Sequence, residues 1–319
     1  MQKGRKCQKS RKMPKGMMSL YRCTSAPGIP IMYDHEMYPQ PVCPSTFMPE
    51  YAINHVEQTD APLGLLWRDG QMATYSTQGT INIATSVLEG GTIDALKTYF
   101  RSIGKDYHHI GPMTIIHEAQ ASHESDEEVM LFLNNMQDRF GTKSVIYISF
   151  GTFFWPEMAS LSAVLDELIH AQIPFLWAHP SGQPPKNLRK KISGSGTGME
   201  VSWALQQRVL AHSATGWFLT HGGWNSMQEA FPHKVPLIYW SISAGQPLNV
   251  ALLSVKFKAV FELIEVPRGQ QETKKPYRFG DSPAPRFTVD SVRDEMRGLL
   301  TRLSDEEGRI RAVSRYRIR

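Results

Sequence analysis

Residues 144–150 (SVIYISF) are β-branched and aromatic side chains without polar alternation, and Gly151-Thr152 follows at once. A strand with one wet face alternates apolar and polar residues. One without alternation is covered on both faces, the signature of a parallel sheet sandwiched between helices. The same grammar continues along the chain. A helix begins at Pro156 with Met158, Leu161, Val164, Leu165, Leu168 and Ile169 on helical spacing, and a strand follows at 174–178. Further strands are predicted at 198–202, 216–220, 235–240 and 259–266, with helices at 247–256 and 288–303. Such alternation predicts an α/β fold with a parallel sheet and helices on both faces. Ligands of these sheets sit at the C-terminal edges of the strands.

Residues 203–249 carry the densest set of polar side chains suited to a ligand (WALQQRVLAHSATGWFLTHGGWNSMQEAFPHKVPLIYWSISAGQPLN). Within them GWFLT reads as a strand, His221-Gly222-Gly223 as a tight turn, and Asn225, Ser226 and Glu229 as the opening of a helix. The first turn of a helix presents unpaired N–H groups, so a glycine turn feeding one suits a phosphate. Glu229, one helical turn beyond Asn225, suits a pair of sugar hydroxyls. Taken singly, Asn225 and Ser226 serve equally as ordinary helix caps and Trp224 as a core residue.

Together, Trp203, Gln206, His212, Gly216, His221, Gly223, Trp224, Asn225, Ser226, Glu229, Pro236 and Gln246 keep one spacing. In that spacing the stretch resembles the signature box of the UDP-dependent glycosyltransferases, the plant and fungal UDP-glucosyltransferase type with a GT-B fold. The resemblance implies that Trp203 stacks on uracil and Gln206 contacts the uridine. It implies that His221, Asn225 and Ser226 bind the diphosphate, beside Trp224, and that Glu229 takes the ribose hydroxyls. In the family the turn after the SVIYISF strand also lines the diphosphate pocket, which adds Gly151 and Thr152. The box usually closes with an acidic residue and Gln on the transferred sugar; here the pair is Gly245-Gln246, so the carboxylate is absent. Leu205, Gly222 and Lys234 are smaller departures, standing where Pro, Cys and Gly are usual.

The implied activity is transfer of a hexose from a UDP-sugar, UDP-glucose by preference, to a hydroxyl of a small lipophilic acceptor with inversion. The donor is a substrate, and no cofactor is implied. The family's catalytic base is a His early in its first domain. His35 and His55 lie among prolines without the strand and glycine turn that would mark it, so neither inherits the role. By the family's measure the chain reads as truncated at both ends. The resemblance therefore leaves a second possibility, a UDP-sugar-binding fragment or subunit that needs a partner chain. General-base catalysis is worth roughly 10²–10⁴-fold, so such a chain would bind donor and turn over little.

Charge settles a separate question. The formal net charge of +5 arises from residues 1–22, which hold eight Lys or Arg and no acid; the other 27 basic residues face 30 acidic ones, a net of −3. Beyond that local tail nothing favours nucleic acid. No run of eighteen apolar residues suggests a spanning helix, and three cysteines, all before residue 44, fit a reducing compartment and a cytoplasmic location. The expected organisation is a basic disordered tail at 1–24 and a partial acceptor-side domain at 25–113, with a short buried strand from Ile81, a helix after Glu89 and a last strand within 107–113. A linker with a helix leading out of it follows at 114–142, its acidic stretch solvated. A complete Rossmann-like UDP-sugar domain occupies 143–319, with 269–285 as a surface insertion.

Overall fold

The computed structural model describes residues 76–113, 124–152, 155–180, 183–242, 245–266 and 275–304, together with the short strands β1 (Leu20–Tyr21) and β2 (Met32–Tyr33). The remainder of the basic tail and of the proline-rich stretch, with His35 and His55, lies outside the described residues, as do the linker histidines His117 and His123.

The first sizeable unit is β3 (Gly79–Asn82), α1 (Ser86–Ser102) and β4 (Asp106–His109), with β3 and β4 parallel. The strand expected from Ile81 starts earlier, and Ile81 is 67% exposed rather than buried. Helix α1 is kinked at Glu89 (φ −124°, ψ 16°). The Glu89 carboxylate reaches back to accept from Thr85 N at 3.2 Å. Helix α2 runs over Glu124–Phe140, one turn longer than expected. Of the acidic residues taken for solvated linker, Asp126, Glu127 and Glu128 lie inside this helix, and Asp126 is buried.

The main body is a six-stranded sheet of β5 (Val145–Ser149), β6 (Phe175–Ala178), β7 (Gly198–Val201), β8 (Thr215–Thr220), β9 (Leu237–Tyr239) and β10 (Phe261–Glu262). Its order is β10-β9-β8-β5-β6-β7 and every pairing is parallel. The chain winds outward from β5 to β7, then returns to start again at β8 beside β5. The topological switch therefore lies between β5 and β8.

Every residue of β5, β6, β8 and β9 is buried, as unalternating strands require. Alternate side chains feed two separate cores. Ile146, Ile148, Trp177, Trp217 and Trp240 pack with α3 (Met158–His170) and α8 (Val289–Ser304). Val145, Tyr147, Phe218 and Leu237 pack with α2, α5 (Gln206–Ala211) and α6 (Trp224–Ala230), and Leu88 of α1 joins this second layer. Burial of side chains this size is worth roughly 1.5–3 kcal/mol each, and both layers contribute.

Three boundaries differ from expectation for local reasons. Helix α3 starts at Met158, not Pro156, because Glu157 is its cap, accepting from Ala159 N at 2.9 Å and Ser160 N at 2.6 Å. Strand β10 covers two residues instead of eight. Beyond it the carboxylate of Glu295 in α8 captures Ile264 N at 2.8 Å and Glu265 N at 2.9 Å, groups that would otherwise extend the ladder. The expected helix at 247–256 is an α-helix, α7 (Gln246–Ala251), that relaxes into a π turn (Leu252–Lys256). The expected surface insertion is partly tied down, since Arg278 in a 3₁₀ turn (Tyr277–Phe279) makes two 2.7 Å bonds to Glu262 of β10. A helix absent from the sequence reading, α4 (Lys186–Gly194), crosses between β6 and β7.

Candidate functional site

Both glycine turns emerge at the switch point. Ser149 ends β5 and hands over to Gly151 (φ +75°), while Thr220 ends β8 and hands over to His221, Gly222 (φ +81°) and Gly223. The turns touch. A Cβ on Gly151 would stand 2.9 Å from His221 Nε2, and one on Gly223 would stand 2.4 Å away. Only glycine leaves room for the imidazole between them. Gly222, in the left-handed region with Val250 Cγ2 2.9 Å from where its Cβ would be, is required here on its own account. Asn249 Nδ2 donates to its carbonyl at 2.9 Å.

His221 is thus a half-buried ring whose environment disfavours charge. Burial pushes its pKa down to about 4 against a smaller opposing effect from a hydrogen bond to the Ser149 backbone. At neutral pH it is an uncharged imidazole that offers a ring N–H. Its Nδ1 lies 3.3 Å from Thr220 Oγ1. Gly223 caps α6 without any side-chain hydrogen bond. The N–H groups of Trp224, Asn225 and Ser226 have no acceptor within the helix. Helix α6 has only seven residues, so local N–H groups and side chains, rather than a long macrodipole, define the turn.

Across the cleft, Gln206 opens α5. Its Nε2 donates to Glu229 Oε2 at 2.6 Å and stands 3.4 Å from Ser226 Oγ, while the Tyr147 hydroxyl donates to its Oε1 at 3.4 Å. Burial pushes the Tyr147 pKa well above its ordinary value, so the phenol stays a donor. Tyr147 stacks on Phe218 with centroids 4.8 Å apart, which fixes the hydroxyl from below. Trp203, 56% exposed, stands at the mouth of the cleft. A large indole held in water beside a polar cleft is an open stacking surface.

The cleft holds about 550 Å³. Of the eleven residues singled out from the sequence it brings together ten: Trp203, Gln206, His221, Trp224, Asn225, Ser226, Glu229, Gly151, Thr152 and Gln246. The eleventh, Gly245, is not among the lining residues; it forms the cap of α7. Gln246 departs from expectation in another way. It is buried, and its Oε1 accepts from Ile242 N at 2.7 Å, so its carbonyl closes a turn. Among the described residues no group of three or more His, Cys, Asp or Glu is arranged to hold a metal ion.

Sequence reasoning missed several lining residues, among them Ser149, Ala178, Pro180, Gln207 and Arg208. Ser149 and Ala178 end β5 and β6, so the rule that strand C-termini face the ligand would have named them. Directly after β6 stands His179, between the lining residues Ala178 and Pro180. His179 is buried and its Nε2 meets Glu200 Oε2, while Arg189 Nε donates to Glu200 Oε1 at 2.7 Å. Burial alone would raise the Glu200 pKa, but these two partners hold it below its ordinary value.

A doubly wound sheet with a polar cleft of this size at its switch point, walled by two glycine turns and an exposed indole, defines a nucleotide-binding α/β unit. Residues 92–266 match the family described as UDP-glucoronosyl and UDP-glucosyl transferase, and the chain belongs to that family. It is 30% identical over 292 residues to the UDP-glycosyltransferase eriJ of Hericium erinaceus, an alignment covering 88% of this chain and 54% of that one. With the anthocyanidin 3-O-glucosyltransferase UFGT of Vitis vinifera it shares 34% identity over 188 residues, 58% of this chain and 39% of the other. The structure of Phytolacca americana UGT2 complexed with UDP-2fluoro-glucose and pterostilbene superposes with a TM-score of 0.60 at 25% identity, covering 91% of this chain and 56% of that one. The fold is accordingly of GT-B type. The chain spans about half the length of the Hericium and Phytolacca relatives.

Proposed function

We propose that the cleft binds the uridine diphosphate of a UDP-hexose, such as UDP-glucose, and that the chain is the donor-binding part of a glycosyltransferase acting on a hydroxyl of a small lipophilic acceptor. Residues 143–319 form the donor domain in this reading, residues 25–113 belong to the acceptor side, residues 114–142 link them, and the location is cytoplasmic. The observation that carries it is convergence. Ten residues singled out by the resemblance line a single cleft, and Gln206 and Glu229, separated by 23 positions, share a hydrogen bond inside it.

Each group has a task suited to its chemistry. The Trp203 indole offers a face for the pyrimidine. Glu229 accepts from the ribose hydroxyls, held in place by Gln206. His221, Asn225 and Ser226, with the free N–H groups opening α6, donate to the diphosphate. In the transfer step the acceptor oxygen forms a bond to the anomeric carbon while the bond from that carbon to the diphosphate oxygen breaks, inverting the centre. The negative charge left on UDP falls on these donors, and stabilisation there favours the transition state over the bound sugar nucleotide. The group that takes the acceptor proton is not assigned to any residue of this chain.

A second reading, a donor-binding subunit completed by a partner chain, is favoured by the exposed apolar residues Ile81, Ile110 and Met113 on the β3–α1–β4 unit. Titrating the purified chain with UDP by calorimetry and following its thermal midpoint tests the shared premise. At ligand one hundred times the dissociation constant a true site adds about 2.7 kcal/mol. Trp203→Ala should weaken UDP about fivefold or more, as loss of a base stack worth about 1–3 kcal/mol requires, without moving the unliganded midpoint. No binding at millimolar UDP sinks the proposal. Glycosyl transfer to a phenolic acceptor by the chain alone would set aside the partner-chain version.

A further inference from the structure

We infer that Tyr147 is a positioning residue for the ribose of the bound nucleotide: its hydroxyl holds Gln206, Gln206 holds Glu229, and the preference for a sugar with its 2′ and 3′ hydroxyls depends on that relay. The inference deepens the nucleotide reading above and rests on it.

The relay joins three elements by contacts between side chains. Tyr147 lies in β5, Gln206 opens α5 and Glu229 lies in α6. Gln206 Oε1 accepts from the Tyr147 hydroxyl at 3.4 Å, and Gln206 Nε2 donates to Glu229 Oε2 at 2.6 Å. Both bonds demand the same orientation of the amide. An ionised carboxylate has no proton to give, so a reversed amide would set one acceptor against another. Tyr147 offers its proton to the end of the amide that faces away from Glu229. The phenol has little freedom to do otherwise, being 1% exposed, on a strand between β8 and β6, and stacked on Phe218 with planes at 23°. Burial, with the Glu229 charge behind it, keeps the phenol protonated.

Glu229 has no second anchor. Among the described residues its carboxylate makes no ion pair and accepts from Gln206 alone, through Oε2. Its Oε1 is left to the cleft that Glu229 lines, where a vicinal diol brings two donors. With the hydroxyl of Tyr147 removed, Gln206 loses one of its two fixed ends and the carboxylate gains freedom. Groups held ready for a ligand lose affinity when their support is loosened, even though every group remains. Ser226 Oγ stands 3.4 Å from the same Gln206 nitrogen and is proposed for the diphosphate, so a disturbance there weakens any uridine diphosphate, whatever its sugar hydroxyls. The ratio between nucleotides with and without the diol isolates the ribose.

The test compares UDP with 2′,3′-dideoxy-UDP by calorimetry in the full chain and its variants. The unaltered chain should prefer UDP by about tenfold or more, since hydrogen bonds to a charged acceptor are the stronger kind. Tyr147→Phe keeps the ring and its stack and loses only the hydroxyl; it should weaken UDP about fivefold and leave the dideoxy analogue within about twofold. Gln206→Leu removes the next link and should lower the preference at least as far, which keeps the question decidable if Tyr147→Phe folds poorly. In the double variant the loss of the hydroxyl should add nothing to the loss of the amide. A merely structural role predicts that the two ligands weaken together. That outcome, an unchanged preference in either single variant, or a full further loss in the double variant, overturns the inference. Equal binding of the two ligands by the unaltered chain also overturns it while leaving the nucleotide reading in place, whereas absence of UDP binding removes both.

Discussion

The units β5–α3–β6 and β3–α1–β4 have the same topology, two parallel strands joined by a crossover helix, yet they treat their strands differently. Every residue of β5 and β6 is buried, and two core layers cover them. In β3 and β4 burial is intermediate at best, Ile81 is 67% exposed, and the crossover helix bends at Glu89. The chemistry follows the covering. At the edge of the doubly covered sheet, backbones and rings approach so closely that Gly151, Gly222 and Gly223 admit no side chain, and His221 is held neutral. At the corresponding edge of the smaller unit His109 bonds the Ala84 carbonyl at 2.6 Å in a half-buried setting, and Glu89 is raised by burial only against the pull of the Thr85 N–H and His109. A strand–helix–strand topology positions residues; a second covering layer gives their placement consequences.

The sharpest way to break this contrast is the same type of substitution in each unit. Gly216 is the extra residue of a bulge, since Val145 pairs with Thr215 and Ile146 with Trp217. A Cβ there would stand 2.0 Å from the Lys143 carbonyl oxygen, a backbone atom with nowhere to go. Gly216→Ala should cost about 3 kcal/mol or more, read from the urea midpoint. A loss below about 1 kcal/mol would mean that the covered sheet relaxes as readily as an exposed one.

The next effect is acid sensitivity localised to the covered edge. His221 has an ordinary pKa of 6.5 in the unfolded chain and about 4 in the folded one, so between those values the unfolded state holds the extra proton. Stability is therefore complete above pH 6.5 and declines as pH falls toward 4, by at most about 1.4 kcal/mol per pH unit and about 3 kcal/mol in all. Asp166 acts in a lower window. Burial would raise its pKa, but Lys191 and Arg293 hold it below its ordinary value, so its contribution is lost only under stronger acid. Denaturant midpoints between pH 7 and 4 should slope for the native chain and less steeply for His221→Asn, which keeps the share from His212 and His233, both held below their ordinary value by burial. Equal slopes for both would show that the imidazole is not desolvated in the way its glycine cradle implies.

Much of this was legible in the sequence, and what escaped has a common cause. Strands β5, β6, β8 and β9 announced themselves because double coverage leaves no polar alternation. The cleft was legible because its main residues sit within one stretch whose strand, turn and helix are consecutive. What stayed hidden depends on partners far along the chain. Strand β10 is cut short by Glu295 from α8, some thirty positions away, and nothing in residues 259–266 signals that. The resemblance implied Gln246 as a sugar ligand, and it does not reveal that Ile242 N donates to its carbonyl oxygen. The exposure of Ile81 was misjudged because a single apolar residue in a short strand (GTIN) does not show which of its faces is covered.

The smallest expected effect examines the loosely covered unit itself. Gly90 lies in α1 directly after the kink, and a Cβ added to it meets nothing within 4 Å. Alanine there brings no clash, removes conformational freedom from the unfolded chain and raises helix propensity, so Gly90→Ala should stabilise by about 0.5–1 kcal/mol. Whether the gain appears in the global urea midpoint depends on coupling between the two units, and Leu88 of α1, buried within the α2-side core layer, supplies that coupling. The midpoint should therefore rise, and amide exchange along α1 should slow in step with it. A gain seen only in α1 exchange, with the midpoint unmoved, would mean that Leu88 does not carry the smaller unit's stability into the six-stranded sheet. A fall in the midpoint would mean that the bend at Glu89 needs the glycine behind it, and the difference between the units would then lie in backbone conformation as much as in covering.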